Sequence, residues 1–212
     1  MSFDDNFSFS LNDDEQDLLR ELVNIAYGHA TSSISVLLGA YATLHVPKIT
    51  VLKIDELERY ISDLYDGTYS CCYRVIQQFR GKVGGETLFV TDVKSAENLT
   101  KHLVGSADKE EYLNDAIMEL ANILSSATIG KLAESFDFPV VFSAPIVQPM
   151  HERVIANPSI NPKRHFSYVI IIQTLLEFKN QEIKGELMIL LEEGSFEQLH
   201  LLLAGKIAEL MG

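Results

Sequence analysis

Positive charge is scarce in this chain: 17 Lys and Arg stand against 30 Asp and Glu in 212 residues, a formal charge of −13. Nucleic acid and anionic lipid are recognised through clustered Lys and Arg, so neither is an expected partner. Long apolar runs are also missing, and the amino terminus, "MSFDDNFSFSLNDDEQD", is acidic where a secretory leader is basic and then greasy. A cytoplasmic location is expected. Cysteine is limited to Cys71 and Cys72, adjacent in a strand-like run, where the two side chains leave opposite faces and a disulfide between them would be strained. The six histidines are scattered, and no Cys/His spacing of the zinc-binding kind occurs. Also missing are a glycine-rich phosphate loop, a Gly-x-Ser-x-Gly elbow, a His-Glu-x-x-His pair and a Cys-x-x-Cys pair, which leaves the common small-molecule enzyme classes without support.

What is present is an apolar content of 47%, ample for a core, arranged in a pattern that occurs twice. Asn12, with Glu15 three residues on, marks a helix start; Leu18, Leu22, Ala26, Ile34 and Leu38 give its apolar stripe, and Gly39 can end it. The resulting rod is roughly 39 Å long. Strand-like runs follow at 44–54, 69–80 and 83–91, with a short amphipathic helix around Leu57, Tyr60, Ile61 and Leu64, and a helix at 94–103 closes the unit. A second round opens at Asp108 and Glu111, carries a stripe of Leu113, Ile117, Leu120, Leu124 and Leu132, and continues with strands at 139–148, 166–178 and 182–192 and a helix at 195–211. "GGETLFV" in the first round answers "KGELMIL" in the second, so Gly85-Glu86 and Gly185-Glu186 match. The main irregularity is 149–165, whose three prolines and two Asn-Pro steps mark a loop.

Either half alone would leave apolar strands unpaired. The expected fold is therefore α+β: one domain over 1–212 made of duplicated helix-strand-strand-strand-helix units, about 12–104 and 108–211. The units merge about a pseudo-twofold axis, with two long antiparallel helices on a mostly antiparallel sheet. "YVIIIQTLL" reads as a strand buried on both faces.

The duplication carries polar residues with it. Asp17, Glu21, Asn24 and Pro47 recur at identical spacings as Asp115, Glu119, Asn122 and Pro145. On a helix, positions i, i+4 and i+7 share a face, so each Asp-Glu-Asn set forms a polar ridge while the leucines turn inward. The first ridge continues with Gly28, the second with Ser126. A lone Glu-x-x-Asn means little, since a solvated helix face explains it; the matching Asp, the matching Pro and the complete second copy are what give it weight.

This pattern, Asp/Ser-x3-Glu-x2-Asn followed some 22 residues later by Pro and present twice, resembles the CheC, CheX and FliY family of chemotaxis phosphatases. The words "ELVNIAYGHATSSISVLLG" and "VPKI" carry the likeness, and the duplicated element order extends it over the chain. Two copies are similar to a stand-alone CheC-like protein. The resemblance implies hydrolysis of the aspartyl phosphate of a CheY-type response regulator, with Glu21, Asn24, Glu119 and Asn122 as catalytic residues and Asp17, Pro47, Asp115 and Pro145 in support. It also implies that no cofactor is held by the chain itself and that Mg2+ belongs to the regulator. An Asn amide, with donor and acceptor on one plane, suits holding the attacking water; a Glu suits pairing with a regulator lysine. The copies differ downstream, "ILSSATIGKL" against "IAYGHATSSI", so sites of equal strength are not expected. Two further readings accompany the resemblance: a scaffold or flagellar-switch component of the same fold, and binding of a CheD-like deamidase, for which no stretch identifies a surface.

Overall fold

The computed structural model describes residues 11–45, 48–57, 59–60, 72–150, 166–179 and 181–211. Helix α1 spans Asp13–Leu38. Its start is fixed reciprocally: Asn12 Oδ1 accepts from Glu15 N at 3.0 Å, and Asn12 N donates to Glu15 Oε2 at 2.9 Å. Its end is fixed by Gly39 at φ +55°, a conformation that glycine adopts without a Cβ penalty. Strands β1 (Ala42–His45) and β2 (Ile49–Lys53) follow, then a single 3-10 turn at Ile54–Glu56. After them come β3 (Cys72–Arg80), β4 (Gly85–Asp92) and α2 (Val93–Val104).

The second half contains α3 (Glu110–Ser135), β5 (Val141–Phe142), β6 (Ile146–Met150), β7 (Phe166–Phe178), β8 (Gln181–Glu192) and α4 (Ser195–Met211). Two sequence expectations are corrected here. Asp108 and Glu111 do not cap α3: the N-cap is Lys109, without a side-chain bond, and Asp108 instead accepts from Ser106 Oγ. The strand expected over 139–148 is broken at 143–145 and resumes to Met150, because Pro145 has no N–H to give the ladder. The expected helix beyond Tyr60, Cys71, most of the 149–165 loop and Pro47 lie outside the described residues, as does the side chain of Cys72.

Among the described residues every strand pairing is antiparallel, and the strands run in the order β1-β7-β8-β4-β3-β5, with β2 also on β7 and β6 also on β3. The first two strands of the chain therefore lie against β7, while β5 and β6 lie against β3. At the centre, Gly85 pairs with Leu191 and Thr91 with Gly185, placing the two glycines at opposite ends of one ladder. Both need to be glycine. A Cβ on Gly85 would sit 2.2 Å from the Leu190 carbonyl oxygen, and one on Gly185 would sit 2.6 Å from Cζ of Phe89.

The sheet is buried on both faces. One face packs against the helices through Val75, Phe79, Phe89, Ile170, Ile172, Leu187 and Ile189, beneath the apolar stripes of α1 and α3, which lie side by side. The other face holds Ile76, Leu88, Val90, Val169, Ile171, Met188 and Leu190, with Leu57 upon them. This second face also buries Glu86 and Glu186. Among the described residues no helix is long and apolar enough to cross a membrane.

Candidate active site

On α1 the inward positions Leu18, Leu19, Leu22, Val23, Ala26 and Tyr27 are buried, which turns Asp17, Glu21, Asn24 and Gly28 outward to solvent. Asp17, Arg20, Glu21, Asn24 and Ile25 line a shallow open depression. Asp17 pairs with Arg20 at 2.7 Å, and both side chains are largely exposed, so the pair contributes little to stability. The side chains of Glu21 and Asn24 have no hydrogen-bond or ion-pair partner among the described residues and remain available to an incoming molecule. Ile25, 40% exposed, adds an apolar contact beside them.

On α3 the corresponding ridge differs in detail. Asp115 and Glu119 are exposed, and the place corresponding to Arg20 is Met118, so Asp115 has no local cation of that kind. Asn122 is only partly exposed. Its Oδ1 accepts from Gln77 Nε2 at 3.0 Å, and the same nitrogen donates to the Ser143 carbonyl, also at 3.0 Å. Ser126, which continues the ridge, bonds back to the Asn122 carbonyl at 2.6 Å and so presents no free hydroxyl proton. Pro145 is half-buried at the entry of β6. The break it makes in the strand is what frees the Ser143 carbonyl to meet Gln77.

The structure thus brings Glu21 and Asn24 together on one exposed ridge and Glu119 and Asn122 on another. It places Asp17 and Asp115 one turn ahead, while Pro145 stands just before β6. Gln77 was not among the candidates, since a glutamine inside an apolar strand carries no spacing signal; only the pairing of β3 with β5 and β6 reveals where its amide points. Among the described residues no group of three or more His, Cys, Asp or Glu side chains is placed to hold a metal.

No protein-family model matches the chain. It is 25% identical over 207 residues to the CheY-P phosphatase CheC of Bacillus subtilis (strain 168), covering 93% of this chain and 97% of that protein. The chain resembles the CheC, CheX and FliY family. Thermotoga maritima FliY superposes with a TM-score of 0.67 at 19% identity, over 93% of this chain and all of that one. A chain of the CheX–CheY–BeF3–Mg2+ complex from Borrelia burgdorferi gives 0.52 at 15% identity, over 82% and 98%. The FliM middle domain of Vibrio alginolyticus gives 0.60 at 14% identity, over 87% and 99%. The fold is therefore shared by CheC, FliY, CheX and FliM proteins, and fold alone does not assign a role.

Proposed function

We propose that this chain is a phosphatase that hydrolyses the aspartyl phosphate of a CheY-type response regulator. The observation that carries the reading is the placement of two Glu-Asn pairs on outward helix ridges, Glu21 and Asn24 both exposed and Glu119 exposed beside a partly exposed Asn122, in a chain similar to a CheY-P phosphatase. In the reaction, water attacks phosphorus, the bond from phosphorus to the aspartyl oxygen breaks, and inorganic phosphate and a proton leave while the regulator's carboxylate is restored. An acyl phosphate is already activated, so what the protein has to supply is an aligned water and an open in-line path. The Asn amide holds the water, accepting through Oδ1 and donating through Nδ2. The Glu carboxylate docks on a regulator lysine and sets the register of the helix. One carboxylate and one amide per ridge are too few hard ligands for a tight magnesium site, so the divalent ion is assigned to the regulator.

The test is to replace both Asn24 and Asn122 with Ala and follow loss of phosphate from a phosphorylated regulator. The catalysed rate should fall by about a hundredfold, since misplacing one reactive water costs that much. Regulator binding should persist, and the fold should survive because Ala favours helix. An undiminished catalysed rate would overturn the role given to the Asn pair. A parent protein that adds nothing to the regulator's spontaneous loss of phosphate would overturn the enzymatic reading and favour the alternative, a non-catalytic scaffold or switch component, which the likeness to FliM supports at the level of fold.

A further inference from the structure

Resting on that reading, we propose that the two sites are unequal by construction and that Gln77 is a positioning residue of the second one, holding Asn122 ready while Asn24 is left unheld. Three observations carry this. First, the amide orientations are dictated rather than free. A backbone carbonyl only accepts, so the Gln77 atom facing Ser143 O must be Nε2, and the Asn122 atom facing that nitrogen must be the acceptor Oδ1. Asn122 is therefore fixed with Nδ2 directed away from Gln77 and with one Oδ1 lone pair still free, which leaves both functions needed to hold a water. Second, the clamp is itself rigid. Gln77 is buried on the helix-facing side of β3, and Ser143 is tied to Gln78 through its own amide and hydroxyl, at 2.9 and 3.0 Å.

Third, the first site has no counterpart. Gln77 lies opposite Thr87 across β3 and β4; the corresponding place across β7 and β8, opposite Leu187, is Ile172, fully buried and without any donor. The footings of the two helices differ in kind. Thr87 Oγ1 bonds Ser125 Oγ at 2.9 Å beneath α3. On α1 the place of Ser125 is taken by Tyr27, whose Oη meets Thr174 Oγ1 at 2.9 Å, and Leu187 stands in the place of Thr87. Asn24 must give up its side-chain freedom each time a regulator docks, and Asn122 has already done so. The second site should accordingly supply most of the turnover.

The test is a double-mutant cycle in the full chain, with kcat and KM measured separately on a phosphorylated regulator. N24A should keep most of the parent kcat and N122A should lose most of it. In the N24A background, Q77L should lower kcat about tenfold with KM little changed, since the clamp places the water and takes no part in docking. In the N122A background, Q77L should cost nothing further, because the residue it acts through is gone. A purely structural role would lower both backgrounds alike and would overturn the proposal, as would an N24A/Q77L variant as fast as N24A. Should Q77L not fold, Q77M keeps the length and volume but offers no Nε2 donor and gives the same cycle. If the parent protein adds nothing to the regulator's spontaneous loss of phosphate, the phosphatase reading fails; if the N24A/N122A variant retains the parent rate, the Asn assignment fails and takes the clamp with it. If that variant is inactive and only the Q77L step shows no effect, the clamp alone is wrong.

Discussion

Gln173 stands directly opposite Glu186 across the β7–β8 ladder, yet its amide is directed to Tyr60 Oη at 3.5 Å, leaving Glu186 Oε2 buried with no hydrogen-bond partner among the described residues. In the matching pair the amide does reach the carboxylate, Gln78 Nε2 donating to Glu86 Oε1 at 3.1 Å. Burial pushes the Glu186 carboxyl up to about 7, and the charge of Lys48 offsets this only in part. The folded state therefore keeps a proton that the unfolded chain releases near pH 4.5. This contribution to stability is complete below that pH and is lost as pH rises through about 7. The loss amounts to about 3 kcal/mol. Glu186→Gln should abolish this slope and make the protein more stable than the parent by about that amount at pH 8, with no gain at pH 4. Denaturant unfolding of both proteins across pH 4–8 checks it; parallel pH profiles would refute it.

Substitution of both ridge carboxylates should separate docking from chemistry. Glu21→Ala with Glu119→Ala should raise KM for a phosphorylated regulator and flatten its dependence on salt, because an exposed ion pair between partners is screened by counterions. Steady-state rates at low and high ionic strength measure this. A fall in kcat with unchanged KM and unchanged salt response would give the carboxylates a different role.

The glycines divide into two groups by their surroundings. Gly85→Ala forces a Cβ against the Leu190 carbonyl and should cost about 3 kcal/mol or more. Gly28, inside α1 with open space around its Cβ position, should instead gain about 1 kcal/mol as Ala. Melting temperatures should move in opposite directions, down by several degrees for the first and up by a few for the second.

Helix α3 begins at Lys109 with no side-chain cap, whereas α1 has a complete reciprocal one. Lys109 is already extended, at φ −117° and ψ 131°, which is the conformation a capping residue needs. Lys109→Asp should therefore stabilise the protein by about 1 kcal/mol, through a bond to the first-turn amides and a favourable charge at the helix start. Removing the existing cap by Asn12→Ala should destabilise by a similar amount, and thermal unfolding of the two variants should bracket the parent.

The sequence was most legible where one local signal decided the outcome. The Asn12–Glu15 box and Gly39 bounded α1 correctly, and the unbroken apolar run "YVIIIQTLL" did become a strand buried on both faces, with Val169, Ile170, Ile171 and Ile172 inaccessible to solvent. It was less legible where partner geometry decided. Asp108 looked like a cap but is engaged by Ser106, and Pro145 interrupts a ladder whose existence depends on β3, some 65 residues earlier. Within the site, the outward ridges followed from helical periodicity alone. The hold of Gln77 on Asn122 could not, because it passes between segments that only the sheet brings together.

The interleaved order of the strands also governs how the molecule comes into being. When the first half leaves the ribosome, its β3–β4 hairpin has both outer edges open: Gly85 waits for Leu191, and Ile76 waits for Ile146. Among the described strands, β2 likewise has no neighbour until β7 has been made. Such pairings lie far apart along the chain, which makes closure slow and leaves sticky edges exposed during synthesis. The nascent first half is thus the stage at which a chaperone would matter most to this protein.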